Sequence, residues 1–353
     1  MLARILILFL CVSPLGAAPI DFLPPELRGA VQPQVTVAPS GRIHIVVGKD
    51  NAIYHTSSPD GRLFSAPEKI GELPKLALRM RRGPRVTATD QSVLVTAISH
   101  ADGNIHSWSS TDTGRTWSEG APLNTVGKSA REGLQALAGD GRGSVAAVWL
   151  DLRSGGMELW SRTSPDAGVT WNPEVRVYAS PDGHICECCV PSVAFGPGGA
   201  IATMWRNWLA GSRDLWTALS TDGGRTFSSA RKLGAGSWKL PGFPMDGGGL
   251  AFGAHGEVLT AWRREGAVFR TTASGAETLL GTGAQPLVIG GPRPTILWEQ
   301  NGALYAQRGD EPASVLARPA RMASGARTKS GIALAWEEGD AVSAKLKFAE
   351  FPD

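Results

Sequence analysis

Apolar residues in this chain fall in short runs of strand length, broken by Gly, Pro and charged residues, and no long stretch carries the 3.6-residue rhythm of an amphipathic helix. The stretch from Cys186 to Phe227 shows the unit most clearly. Three runs, Pro191–Phe195, Ala200–Trp205 and Asp214–Leu219, lead into a compact turn, Ser220-Thr-Asp222-Gly-Gly224-Arg-Thr226-Phe227. An Asp at that place accepts backbone N–H groups across the turn, and the glycines tolerate the positive φ of a tight reversal. Thr226 and Phe227 then open a fourth strand. Four strands and a signature turn, repeated, predict a propeller blade.

The repetition runs in two registers. The turn recurs at Ser110–Trp117, at Ser164–Trp171 and, shortened, at Ser58–Phe64, so that Asp60, Asp112, Asp166 and Asp222 are spaced by 52, 54 and 56 residues. The second strand of each unit extends the count: Ile43–Val47, Val93–Ala97, Val145–Trp149, Ile201–Trp205, Val258–Trp262, Pro294–Trp298 and Ile332–Trp336, five of them ending in Trp. Seven second strands predict an all-β, seven-bladed propeller, with six blades as the runner-up if the two short last units merge. The final unit, about Arg321 to Phe351, has room for three strands. Its fourth is expected from the segment near Pro19–Leu27, which would close the ring without a free edge.

Composition narrows the class. With 44 Gly, 24 Pro and 12 Trp in 353 residues and 19% charged, the chain reads as turn-rich β-structure, one domain over residues 19–353. A net charge of +3 without any basic run argues against a nucleic-acid partner. Residues 1–18 have the pattern of a secretory signal: Arg4, the apolar Ile5–Val12, and the small-residue region Pro14–Ala18. No segment has the length of about 20 apolar residues that spans a bilayer, so the expectation is a secreted or periplasmic protein.

The Ser-x-Asp-x-Gly-x-Thr-Trp turns resemble the Asp-boxes, or BNR repeats, of the sialidase superfamily. The resemblance implies that Asp60, Asp112, Asp166 and Asp222 brace turns on the face opposite the ligand site. In a propeller the loops before each first strand and after each second strand share one face. That face collects Arg82, Arg131, Arg206 and Arg264 as candidates for binding an anionic ligand, a glycan or small molecule, through the planar guanidinium fork. Arg82-Gly83-Pro84 is similar to the Arg-Ile-Pro that opens a sialidase site, with Gly for Ile. Asn207 and Trp208 lie in the same mouth, Trp208 as a stacking platform. Glu132, Asp151 and Asp246 are the candidate catalytic carboxylates. The family uses a Tyr nucleophile backed by Glu with an Asp acid/base, whereas Tyr54, Tyr178 and Tyr305 fall in predicted third and fourth strands. The resemblance implies a glycoside hydrolase acting on an anionic sugar, with no cofactor required.

The cysteines carry the alternative, a non-catalytic binding or assembly propeller dependent on metal or redox state. Past the signal only Cys186, Cys188 and Cys189 remain, with His184 beside them, a soft donor set suited to zinc or copper. In an oxidising compartment a Cys186–Cys189 or Cys188–Cys189 disulfide is the expected state, with the third thiol left for a soft ligand.

Overall fold

The computed structural model describes residues 18–271, 275–339 and 343–353; the signal segment falls almost wholly outside them. Among the described residues, seven four-stranded antiparallel sheets form the architecture. Blade 1 is Val31–Val37, Ile43–Lys49, Ala52–Ser58 and Glu68–Glu72, and blades 2 to 6 repeat that meander as far as Ser314–Ala317. Blade 7 takes Arg321–Arg327, Gly331–Glu338 and Lys345–Pro352 from the C-terminus and Ile20–Asp21 from the other end of the chain. Ile20 pairs with Phe348 and Asp21 with Lys347, so the ring closes across the two ends of the described chain. The first strands of successive blades, including blades 7 and 1, adjoin around the axis. Apart from the single-turn Pro25–Leu27 and Pro197–Gly199, no helix occurs among the described residues, and none is long and apolar enough to cross a membrane.

The second strands form the dry middle of each blade. Ile332 to Trp336 is buried throughout, as are Val145 to Asp151 and Ile201 to Arg206. Such continuous apolar runs are what a strand covered on both faces by neighbouring blades requires. The tryptophans ending these runs, 149, 205, 262, 298 and 336, lie in clusters between blades, where each large ring fills the wedge that widens away from the axis.

Near the axis a second device ties blades together. Glu337 Oε1 accepts the N–H of Gln32 in blade 1 at 2.8 Å, Glu299 Oε1 that of Met322 in blade 7 at 2.6 Å, and Asp246 Oδ2 that of Gln285 in blade 6 at 3.2 Å. Each receiving residue has positive φ, between 50° and 56°, at a bulge or entry of an innermost strand, and the carboxylate satisfies the N–H this bulge leaves unpaired. Arg206 in blade 4 does the same work with donors, reaching the carbonyls of Asp246, Arg213 and Arg263 at 3.1, 2.7 and 3.1 Å. Glu299 and Glu337 are thus strand residues of the interblade seam.

Blade 1 also buries a histidine pair, His44 Nδ1 to His55 Nε2 at 3.0 Å, with His55 edge-on to Trp117 of blade 2. Burial lowers their pKa values to about 3 and about 4, from 6.5. Both stay neutral when folded, and below pH 6.5 the unfolded chain takes up protons that the folded protein refuses. Stability is therefore expected to be level above pH 6.5 and to fall beneath it, by about 1.4 kcal/mol per pH unit for each histidine until its folded pKa is reached. Denaturant midpoints from pH 7.5 to 4.5, compared with a His44→Gln/His55→Gln variant, check this. Equal pH slopes in the two proteins would assign the acid sensitivity elsewhere.

Candidate functional site

The Ser-x-Asp-x-Gly-x-Thr turns join third to fourth strands and so lie at the end of the ring opposite the loops that precede first strands. In the turn of blade 2, Ser110 Oγ donates to Asp112 Oδ1 at 2.7 Å and accepts from the Gly114 N–H. Thr116 meets both carboxylate oxygens, through N–H and Oγ1. Blades 3 and 4 repeat this at Asp166 and Asp222. Asp60 keeps only its Ser58 contact and the Arg62 N–H, because its shortened turn has no threonine. These donors hold Asp112 and Asp222 well below the usual carboxylate range and, against the opposing effect of burial, lower Asp166 as well.

The opposite end is the mouth, and there the proposed anion-binding and catalytic set does not assemble. Arg206 is buried with its donors committed to backbone carbonyls. Arg264 is locked on Glu277 by two hydrogen bonds of 2.6 and 2.5 Å. Arg82 donates to the Glu132 carbonyl at 2.6 Å, which brings those two residues together, while Arg131 lies exposed on the rim. Asp151 is sealed from solvent, gripped by Ser129, Trp149 Nε1 and Arg153. Asn207 donates to the Tyr178 hydroxyl at 2.9 Å, and Tyr178 packs on Trp205 between blades. Asp246 borders an axial cavity of about 190 Å³ with Arg81, Arg85 and Gln285, and burial raises its pKa. Arg81 spans that axis from blade 2, donating to Gln285 Oε1 and the Ala323 carbonyl at 2.8 Å each and facing Glu299 at 3.3 Å. The guanidinium groups of Arg81, Arg206 and Arg264 are thus occupied by the protein itself.

What does assemble is a cluster of sulfur. The loop entering blade 4 is pinned where Ile185 bridges Asn207, the Ile185 N–H meets the Met157 carbonyl at 3.0 Å and the Cys186 N–H meets the Arg206 carbonyl at 2.9 Å. Pinned so, it turns Cys186, Cys188 and Cys189 inward, 1%, 7% and 1% exposed. Their Sγ atoms form a triangle with sides of 3.4, 3.0 and 3.6 Å. All three are free thiols, so the expected disulfide is not formed. No His, Asp or Glu joins the triangle among the described residues. His184, expected as a donor, instead meets the Met157 N–H with Nδ1 at 3.4 Å and lies beside Trp208.

Positive charge surrounds the sulfurs. Arg213 Nη1 donates to Cys186 Sγ at 3.2 Å, its guanidinium flanked by Trp208 and Phe243 at 4.8 and 5.2 Å. Arg82 lies near enough to feel Cys188, and Arg206 near enough to be felt by Cys189. The Met245 side chain packs against the cluster. The contacts with the Cys188 and Cys189 thiols, and the Arg213 charge, hold the Cys186 thiol far below its ordinary range. The shared proton balance pushes Cys188 up, and burial pushes Cys189 up. Cys186 is thus the sulfur that gives up its proton most readily. Arg213 had no sequence signal tying it to a cysteine 27 residues earlier; only the shared face of the two loops foretold their meeting.

No protein-family profile and no curated protein sequence matches the chain. Solved structures do. The α-L-arabinanase of Penicillium chrysogenum superposes with a TM-score of 0.56 at 14% identity, over 96% of this chain and 99% of that one. Virginiamycin B lyase of Staphylococcus aureus gives 0.56 at 12%, over 94% and 99%. The intramolecular trans-sialidase of Ruminococcus gnavus gives 0.53 at 11%, over 92% and 94%. The chain is a seven-bladed propeller whose structural neighbours include arabinanases, a lyase and a sialidase. At these identities the likeness is one of fold.

Proposed function

We propose that this protein is a metal-binding propeller that holds one thiophilic ion at Cys186, Cys188 and Cys189. The observation that carries the reading is the buried triangle of three free thiols, each within reach of the others and none shared with a partner cysteine. Soft thiolate donors select soft ions, and burial shields such a complex from water and competing ligands. Three sulfurs with no further His, Asp or Glu donor among the described residues make a single mononuclear site. The test is titration of the reduced protein with Cd(II) under anaerobic conditions, followed by thiolate-to-metal charge-transfer absorbance. Saturation at one equivalent is expected, and no charge-transfer band would defeat the proposal.

A second reading, hydrolysis of a glycoside with an anionic sugar, draws support from the arabinanase and sialidase neighbours and from the buried Asp246 carboxyl at the axial cavity. It is the weaker one, because Arg206 and Arg264 are spent within the fold and Arg131 lies exposed on the rim. Turnover of a panel of fluorogenic glycosides, sialosides included, by the purified protein would restore it; no turnover leaves the binding reading alone.

A further inference from the structure

Resting on the metal-site reading above, we infer that the ion is monovalent copper, bound as a three-thiolate complex whose negative charge is balanced by Arg213 and the arginines behind it. Donor count comes first. Structural zinc sites are closed tetrahedra of four protein ligands, and here three sulfurs stand with no nitrogen or oxygen side-chain donor joining them among the described residues. The side chain that does pack against the triangle is that of Met245, and a thioether is a soft donor that suits Cu(I) rather than zinc.

Charge comes second. Three thiolates with Zn(II) leave one net negative charge, and with Cu(I) they leave two. The buried triangle has a guanidinium hydrogen-bonded to Cys186 Sγ, and the charges of Arg82 and Arg206 reach Cys188 and Cys189. No carboxylate joins the sulfur triangle as a donor among the described residues. A dianionic complex is the one such a cationic wall stabilises most, because buried charge must be paired. Arg213 is held in place by Trp208 and Phe243 on its faces and by the Leu240 carbonyl at Nε, so its position is fixed before any ion arrives.

The experiment uses the full reduced chain in an anaerobic chamber, with Cu(I) presented against bicinchoninate and Zn(II) against a chromogenic chelator. We expect one Cu(I) retained per chain, an X-ray absorption first shell of sulfur only, and Zn(II) lost to its chelator. Arg213→Gln should lower Cu(I) affinity about tenfold or more, the worth of a charge-assisted hydrogen bond, and Arg213→Lys should recover part of it. Thermal denaturation of both variants establishes that they are folded. Retention of Zn(II) with a mixed nitrogen or oxygen shell, and loss of Cu(I) to bicinchoninate, would overturn copper while leaving the metal site standing. Failure to retain either ion would overturn both. An unchanged Cu(I) affinity in a folded Arg213→Gln protein would overturn the charge argument.

Discussion

Cys189→Ser is expected to reduce metal affinity by about a hundredfold or more, since even residues that only support a ligand are worth ten- to a hundredfold. The serine hydroxyl is a hard donor that stays protonated, so the ion would keep only the sulfurs of Cys186 and Cys188. Cys189 is 1% exposed, and the change removes no side-chain volume of consequence. Stability should therefore shift by no more than about 1–2 kcal/mol, the cost of a buried hydroxyl with imperfect partners. The measurement is the charge-transfer titration, with thiol counting after denaturation of the chain without residues 1–18 falling from three to two. Full affinity in the serine variant would show that the ion is held elsewhere.

Deleting residues 18–29 should have the largest effect on the fold itself. It removes Ile20 and Asp21 from the edge of Lys345–Pro352 and breaks the Asp21–Lys347 ion pair. It also removes Phe22, which packs on Phe64, itself edge-on to Phe348. Phe22→Ala alone should cost about 3–5 kcal/mol, a large part of the roughly 5–15 kcal/mol that holds a domain folded. The full deletion adds an unpaired apolar strand edge, the template for aggregation. We expect the truncated chain to elute as aggregate and to show no cooperative melt, and Phe22→Ala to remain monomeric with a lower denaturant midpoint. A truncated protein that melts like the full chain would mean that the ring does not depend on its closure.

The architecture was open to reading because propellers repeat. Periodic Trp-terminated runs at 149, 205, 262, 298 and 336 fall at the ends of real second strands, and the missing strand of the last unit turned up beside Phe348. The site was only half open. Sequence puts Arg206 at the mouth end of its strand, but whether its donors face a ligand or three backbone carbonyls depends on where blade 5 enters. The seam carboxylates Glu299 and Glu337 were closed to reading for the same reason: the N–H groups they capture belong to left-handed residues in other blades. Cysteine spacing showed that three thiols share a loop. It could not show that the loop is tied to Arg206 and turned inward under Arg213.

The two stitching devices divide the ring, and this bears on the order in which it assembles. Blades 1 to 4 carry the aspartate turns, whose partners lie within four residues and need nothing else to form. Blades 5 to 7 lack them and rely on Asp246, Glu299 and Glu337, each waiting for the next blade, and the last for residue 32 at the far end of the chain. Local contacts form with little loop entropy, and distant ones only after it has been spent. A chain emerging from its N-terminus thus has its self-sufficient half first. The later half matures as a relay, each blade completed by its successor, and at the handover Met245, on the way into blade 5, packs against the Cys186, Cys188 and Cys189 loop that opens blade 4.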